Sequence, residues 1–297
     1  MPGPTDNRVA VYIDFDNIVI SRYSQVHPKN RRDRLNEYEP IEAFEAMSDR
    51  LHDAEVDIGA VLDYATSLGT IAVSRAYADW SLPINRGYSD QLINRAVDLI
   101  QMFPTVKSMK NGADIRLAVD AIEDLFTLKD ITHVVLVSGD SDYIALAQKT
   151  KKLGRYVVGV GVAGSVSATL AAACDEFVRY EDLPGVKTNS LVEALVKAEP
   201  KTAKTAVTEP ATRRSGAELL SQALRLGHDK DETEWLHAAA VKLQMRRMDP
   251  TFNEKELGFS SFTNFVKAHP VIAEIEEDGQ RRMIRLRPGY QSQPQSK

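Results

Sequence analysis

The feature that most limits the fold is an alternation. A β-branched run, Val9-Ala-Val-Tyr-Ile-Asp14, is followed by others at Thr70–Tyr77, His133–Ser138, Arg155–Gly161 and Phe177–Tyr180. Near-continuous apolar runs of this kind suit strands covered on both faces. Helical patterns lie between them. Gln91–Met102 carries Leu92, Ala96, Leu99 and Ile100 at helical spacing, and Ile115–Phe126 carries Ile115, Val119, Ile122 and Phe126 as an apolar stripe. Tyr143–Leu153 is a third helix, stopped by Gly154. Strands alternating with helices predict an α/β fold, an open and mostly parallel sheet sandwiched by helices, over residues 8–185.

The rhythm breaks twice. Arg22–Pro40 is polar, with Lys29, Arg31, Arg32 and Arg34 close together. It reads as a solvated surface insertion, or as a basic flap beside an anionic substrate. Residues 186–213 are rich in Lys, Thr, Ala, Glu and Pro and read as a flexible linker, with one short helix at Leu191–Val196. A second unit is expected over 214–289. Ala217–Leu226, Glu234–Met245, Asn253–Leu257 and Ser261–Ala268 have helical patterns, and Ile272–Leu286 reads as a hairpin turning at Asp278-Gly279. Helices followed by a hairpin describe a small winged helix-turn-helix domain. Residues 290–297 are polar and expected to be a disordered tail.

Composition removes other classes. At 43% hydrophobic and 27% charged residues, the chain is an ordinary globular one. No run approaches the roughly 18–20 apolar residues of a membrane span. The N-terminal residues lack the pattern of a secretory signal, so the expectation is a cytoplasmic protein without a membrane partner. The single cysteine, Cys174, forms neither an internal disulfide nor a thiolate zinc site, and the six histidines are scattered. Net charge is −5 and uneven: residues 213–297 hold 14 basic against 12 acidic side chains, residues 1–212 hold 23 against 30. That balance disfavours bulk charge-driven binding of nucleic acid and leaves an excess of carboxylates in front.

Those carboxylates cluster where a parallel sheet places its sites. Asp14 and Asp16 follow the first strand, and period-2 geometry puts them on one face. Asp140 and Asp142 follow the run His133–Ser138, with Asp142 placed to cap the next helix. Asp114 precedes the helix that begins at Ile115. Strand carboxyl ends open onto one crevice, so three remote segments bring four or five acids together. Singly, Asp114 and Asp142 also read as helix caps and Asp120 as a solvent-facing helix residue. Jointly, they repel one another unless a divalent cation, Mg²⁺ or Mn²⁺, sits among them, and such an ion hydrolyses phosphodiesters.

Tyr12-Ile-Asp-Phe-Asp-Asn-Ile18, Lys110-Asn-Gly-Ala-Asp-Ile-Arg-Leu-Ala-Val-Asp120 and Ser138-Gly-Asp-Ser-Asp-Tyr143 resemble the three signature blocks of the NYN domain, in the PIN-like ribonuclease superfamily that includes LabA-like proteins. The resemblance implies a metal-dependent ribonuclease with Asp14, Asp114, Asp140 and Asp142 as catalytic metal site. It also implies Asp16 and Asp120 as further ligands and Asn17, Lys110 and Ser138 as substrate-binding residues. The later stretch, with Gly258, Phe259, Phe262 and Phe265 as its core, resembles the OST-HTH (LOTUS) domain, which implies RNA or a protein as partner. Arg281, Arg285 and Arg287 alternate onto one face of the hairpin, a row able to track phosphates or simply a soluble edge. Two alternatives stand beside the nuclease. One is a non-catalytic RNA-binding adaptor retaining the acidic site. The other is a haloacid-dehalogenase-like phosphatase, suggested by Asp14-Phe-Asp16.

Overall fold

The computed structural model describes residues 7–28, 48–103, 112–186, 215–231, 234–255, 257–279, 281–288 and 290. The chain divides into two compact units, Met1–Lys201 and Thr202–Lys297. The segment Lys29–Arg34, Lys110, Leu191–Val196, the linker beyond residue 186 and the tail beyond residue 290 fall outside the described residues.

The first unit runs β1 (Arg8–Asp14), α1 (Phe15–Val26), α2 (Ile58–Leu68), β2 (Thr70–Ala78), α3 (Pro83–Arg86), α4 (Ser89–Ile93), β3 (Asp98–Gln101), α5 (Gly112–Thr127), β4 (His133–Val137), a 3₁₀ turn (Ser141–Tyr143), α6 (Ile144–Lys152), β5 (Tyr156–Gly161), α7 (Ala168–Ala173) and β6 (Glu176–Arg179). The six strands are all parallel, in the order β3-β2-β1-β4-β5-β6. Strand alternation sorts the core. Val9, Val11 and Ile13 join Ile18 and Val19 of α1 and Ile58, Val61 and Leu62 of α2 on one face. Ala10 and Tyr12 join Leu117, Ala121 and Leu125 of α5 and Leu146 of α6 on the other. With helices on both sides, β1 has no solvent face, which is why its run is apolar without interruption.

Several sequence expectations change here. Gln91–Met102 is not one helix. α4 ends at Ile93, Ala96 takes a left-handed φ of 55°, and Asp98–Gln101 pairs in parallel with Arg75–Ala78. Leu99 and Ile100 go to opposite core faces, as adjacent strand residues do. A sheet edge offering backbone hydrogen bonds outweighed the helical spacing.

The stripe on α5 also faces the other way. Leu117, Ala121 and Leu125 are buried, while Ile115, Val119 and Phe126 are 61%, 57% and 59% exposed. Asp120 and Asp124 are buried beside the leucines because each finds partners. Tyr77 Oη donates to Asp120 Oδ2 at 3.1 Å, and Arg116 Nε donates to Asp120 Oδ1 at 2.8 Å. Tyr12 Oη donates to Asp124 Oδ2 at 2.9 Å, and Arg75 pairs with the same carboxylate at 2.7 Å. Asp120 is therefore not solvent-facing.

The polar stretch from Arg22 begins inside α1. Arg22 is buried, donating to Gln25 Oε1 at 2.6 Å, 3.8 Å from Glu181 and over the Tyr180 ring. Its first residues are thus core helix rather than surface insertion.

The second unit contains α8 (Gly216–Asp231), β7 (Leu236–His237), α9 (Ala238–Met248), α10 (Phe262–Lys267), β8 (Ala273–Asp278) and β9 (Arg281–Leu286). Its antiparallel sheet has the order β7-β9-β8. Leu219, Leu220, Leu224, Val241, Met245, Phe252, Phe262, Phe265 and Ile284 form the core. Gly279 carries a positive φ of 56° at the hairpin turn, the conformation Asp-Gly favours. Glu234–Met245 starts as strand β7 before becoming helix. The described residues of 253–257 form turns instead of a helix. Side chains of Asp249 and Asn253 accept the backbone N–H two residues on, from Thr251 at 3.0 Å and Lys255 at 2.9 Å. Such turns compete directly with helical hydrogen bonds. Among the described residues, no helix is long and apolar enough to cross a membrane.

Candidate functional site

The sheet order reverses at β1: the chain moves to β2 and β3 on one side and to β4, β5 and β6 on the other. A crevice opens at such a switch point, outside the strand carboxyl ends. Asp14 ends β1 there, and Ser138, Gly139 and Asp140 follow β4.

Asp14 also caps α1, its Oδ1 accepting the Asn17 N–H at 3.2 Å. The strand stops for that reason, so Asp16 lies in the first helical turn and the period-2 expectation fails. Asp16 is directed elsewhere: its Oδ1 accepts from Asn85 Nδ2 at 2.7 Å. Asn85 also donates to the Asp79 carbonyl at 3.0 Å. Asp79 Oδ1 in turn accepts from Gln101 Nε2 at 2.9 Å and from the hydroxyl of Ser81. Burial holds the Asp16 carboxyl above its ordinary range, with the Asp79 charge adding to it.

At the end of β4, Asp140 rather than Asp142 is the cap, its Oδ1 accepting the Asp142 N–H at 3.0 Å. Asp142 stands exposed in the 3₁₀ turn. Ser138 is 1% exposed, which encloses it away from any substrate. Its hydroxyl instead lies 3.5 Å from Asp14 Oδ2 and accepts the Asp140 N–H at 3.1 Å. Asn17 Oδ1 accepts the Gly139 N–H at 3.2 Å, tying the two strand ends together. Gly139 has no room for a side chain, since a Cβ would lie 2.7 Å from the Ser165 carbonyl oxygen.

Asp114 comes in from the first turn of α5. Tyr143, buried, joins it to Asp14: its hydroxyl lies 3.0 Å from Asp14 Oδ2 and 2.8 Å from Asp114 Oδ1. Burial first, and then the Asp114 charge, push the Asp14 carboxyl up to about 7. Asp114 is raised by burial and by the charges of Asp140 and Asp142. The structure therefore brings Asp14, Asp114, Asp140 and Asp142 into one electrostatic group, with the Asp16 charge also acting on Asp14, while Asp120 is engaged by Arg116 and Tyr77. No basic side chain pairs with Asp14, Asp114 or Asp140 among the described residues. Nor, among those residues, are any three carboxylates, imidazoles or thiolates drawn tightly enough together to enclose an ion. The Tyr143 hydroxyl lies between two of the four acids.

Tyr143 was not singled out from the sequence, because a tyrosine opening an amphipathic helix looks like core. Asp79 was legible by the rule that found Asp14, since it directly follows β2. Tyr143→Phe keeps the ring and removes the bridge. It is expected to weaken cleavage and Mn²⁺ affinity roughly 10–100-fold with the fold intact, read by metal titration and circular dichroism.

A family model for the NYN domain matches residues 8–181. The chain belongs to the NYN domain family. A second model, the OST-HTH/LOTUS domain, matches residues 215–285. NYN domains belong to the PIN-like nuclease superfamily, and LOTUS domains are associated with RNA binding. An uncharacterised protein of Methanocaldococcus jannaschii is 24% identical over 156 residues, 52% of this chain and 60% of that protein's length. A crystal structure of a Vibrio parahaemolyticus protein of unknown function is 23% identical, with a TM-score of 0.43, over 61% of this chain and 98% of that one.

In the LOTUS unit, the phenylalanines are core. Phe265 packs against Phe252, Phe259 and Phe262 at ring-centroid distances of 5.3, 5.4 and 5.8 Å. The arginine row of β9 is largely neutralised across the hairpin. Arg285 pairs with Glu274 at 2.8 Å and Glu234 at 3.2 Å and lies over the Trp235 ring. Arg287 pairs with Glu274 at 3.4 Å, and Arg281 stands opposite Asp278 in the ladder. A row so paired offers less to phosphates than its sequence suggests.

Proposed function

We propose that the NYN unit is a Mg²⁺- or Mn²⁺-dependent ribonuclease and that the LOTUS unit binds its RNA or a protein partner. The observation that carries this reading is the convergence of Asp14, Asp114, Asp140 and Asp142, from three remote segments, on a sheet switch point. The donor set fits such an ion: hard oxygens, mutually repelling, and without a basic partner for three of the four. These four residues would hold it. A bound divalent cation supplies charge neutralisation at the scissile phosphate and an acidified water. The chain's own contribution is placement. Asn17 ties the two strand ends, Ser138 supports Asp14 and Asp140 from within, and Tyr143 sets the spacing of Asp14 and Asp114. The Asn17 amide nitrogen, which makes no hydrogen bond among the described residues, is available to a phosphate oxygen. The Tyr143 bridge between two of the acids is what favours the competing reading, a non-catalytic RNA-binding adaptor.

Cleavage of end-labelled single-stranded and structured RNA tests the proposal. Wild type and Asp140→Asn are compared in Mg²⁺, Mn²⁺ and EDTA, with the same sequences as DNA alongside. Metal-dependent RNA products, absent in EDTA and with Asp140→Asn, are expected. Intact RNA that still shifts on a gel would sink the nuclease and establish the adaptor.

A further inference from the structure

Helix α5 has two apolar sides. Leu117, Ala121 and Leu125 face the core, and Ile115, Val119 and Phe126 stand exposed, with Ile122 between them half-buried and packed in part against the core. Spacings of four, three and four residues align these side chains in one ridge, nearly opposite the buried face. A ridge with that spacing is what one helix presents to another. Contiguous exposed apolar surface of this kind marks an interaction site.

The charges beside the ridge indicate what covers it. Arg116 and Glu123 lie along the same flank, two turns apart. Arg116 bonds Asp120 through Nε, while its terminal nitrogens make no hydrogen bond among the described residues. Glu123 is exposed and has no ion pair among the described residues. An identical helix laid antiparallel sets Ile115 against the partner's Phe126 and Val119 against the partner's Ile122. The same placement brings Arg116 beside the partner's Glu123, and symmetry repeats the pair. In a parallel pair this flank would meet the opposite one, which carries Ala118 and Asp114, a carboxylate already bonded to the Tyr143 hydroxyl. The ridge is thus self-complementary in shape and charge in the antiparallel orientation.

We infer that this chain self-associates as a two-fold dimer through antiparallel pairing of α5. Each Asp114 lies in the first turn of α5, so the dimer sets its two acidic groups about 20 Å apart along the helix pair. The inference does not depend on the nuclease reading. Sedimentation equilibrium of the full chain over a wide concentration range is the test, with a mass rising from 33.0 kDa toward twice that value expected. Val119→Glu and Glu123→Lys should each return the chain to monomer with an unchanged circular dichroism spectrum, both positions being exposed. Orientation is read by oxidising a mixture of Ile115→Cys and Phe126→Cys chains. A disulfide between the two variants, and none within Ile115→Cys alone, is expected. A monomer at every concentration, a dimer indifferent to Val119→Glu, or self-crosslinking of Ile115→Cys overturns the proposal.

Discussion

Asp14→Asn is expected to lower RNA cleavage on the order of a thousandfold while making the metal-free protein harder to melt at about pH 8. The two effects share a cause. Asp14 is 4% exposed, and burial together with the Asp114 charge moves its carboxyl from 3.8 to about 7. The folded chain thus binds this proton more tightly than the unfolded chain does. Stability is intact below the unfolded value near 4 and is lost progressively as pH rises through about 7. Fully ionised, the group costs up to about 4 kcal/mol. Asparagine removes the charge and still caps α1, because its side-chain oxygen accepts the Asn17 N–H equally well. Part of the gain is offset where its amide replaces an acceptor facing Tyr143 and Ser138, so a net gain of about 2 kcal/mol is expected. Melting in EDTA at acid and alkaline pH reads it, and the difference should vanish on the acid side. Mn²⁺ should stabilise wild type at alkaline pH and leave the variant almost unmoved. A variant less stable than wild type at alkaline pH would remove carboxylate repulsion from the account of this site.

Phe265→Ala should cost about 3–5 kcal/mol and with it most of the stability of the LOTUS unit. Phe265 is fully buried, and its ring is shared by Phe252, Phe259, Phe262 and His269, the last at 4.7 Å. A unit this small has few other large side chains with which to refill the cavity. The chain has two tryptophans, Trp80 in the first unit and Trp235 in the second, so a Trp80→Phe background isolates the LOTUS signal. Loss of the cooperative Trp235 transition is the expected result. A transition of unchanged midpoint would show that the aromatic cluster does not carry the unit.

Some of this was readable before any coordinates. Five of the six strands of the first unit, the hairpin at Asp278-Gly279 and the place of Asp14, Asp114 and Asp140 follow from local pattern: apolar runs, turn chemistry and acids at strand ends. Those signals live within a few residues of one another. The errors have a common origin in choices made by distant partners. Asp98–Gln101 became a strand because β2 offered it an edge. α5 turned its acids inward because Tyr12, Tyr77 and Arg75 waited there, and neither face of a helix with two apolar rows announces which is core. Asp16 left Asp14 because α1 began at Phe15 and Asn85 was in reach.

By itself, then, the sequence determined the family, the alternation of strands and helices and the acids that gather at the strands' carboxyl ends, since each rests on short-range periodicity and residue chemistry. Tertiary structure alone decided which carboxylates share a field, that Tyr143 bridges Asp14 and Asp114, and that an apolar ridge on α5 is left facing outward. Hydrogen-bond partners and burial are properties of residues that meet only when the chain has folded.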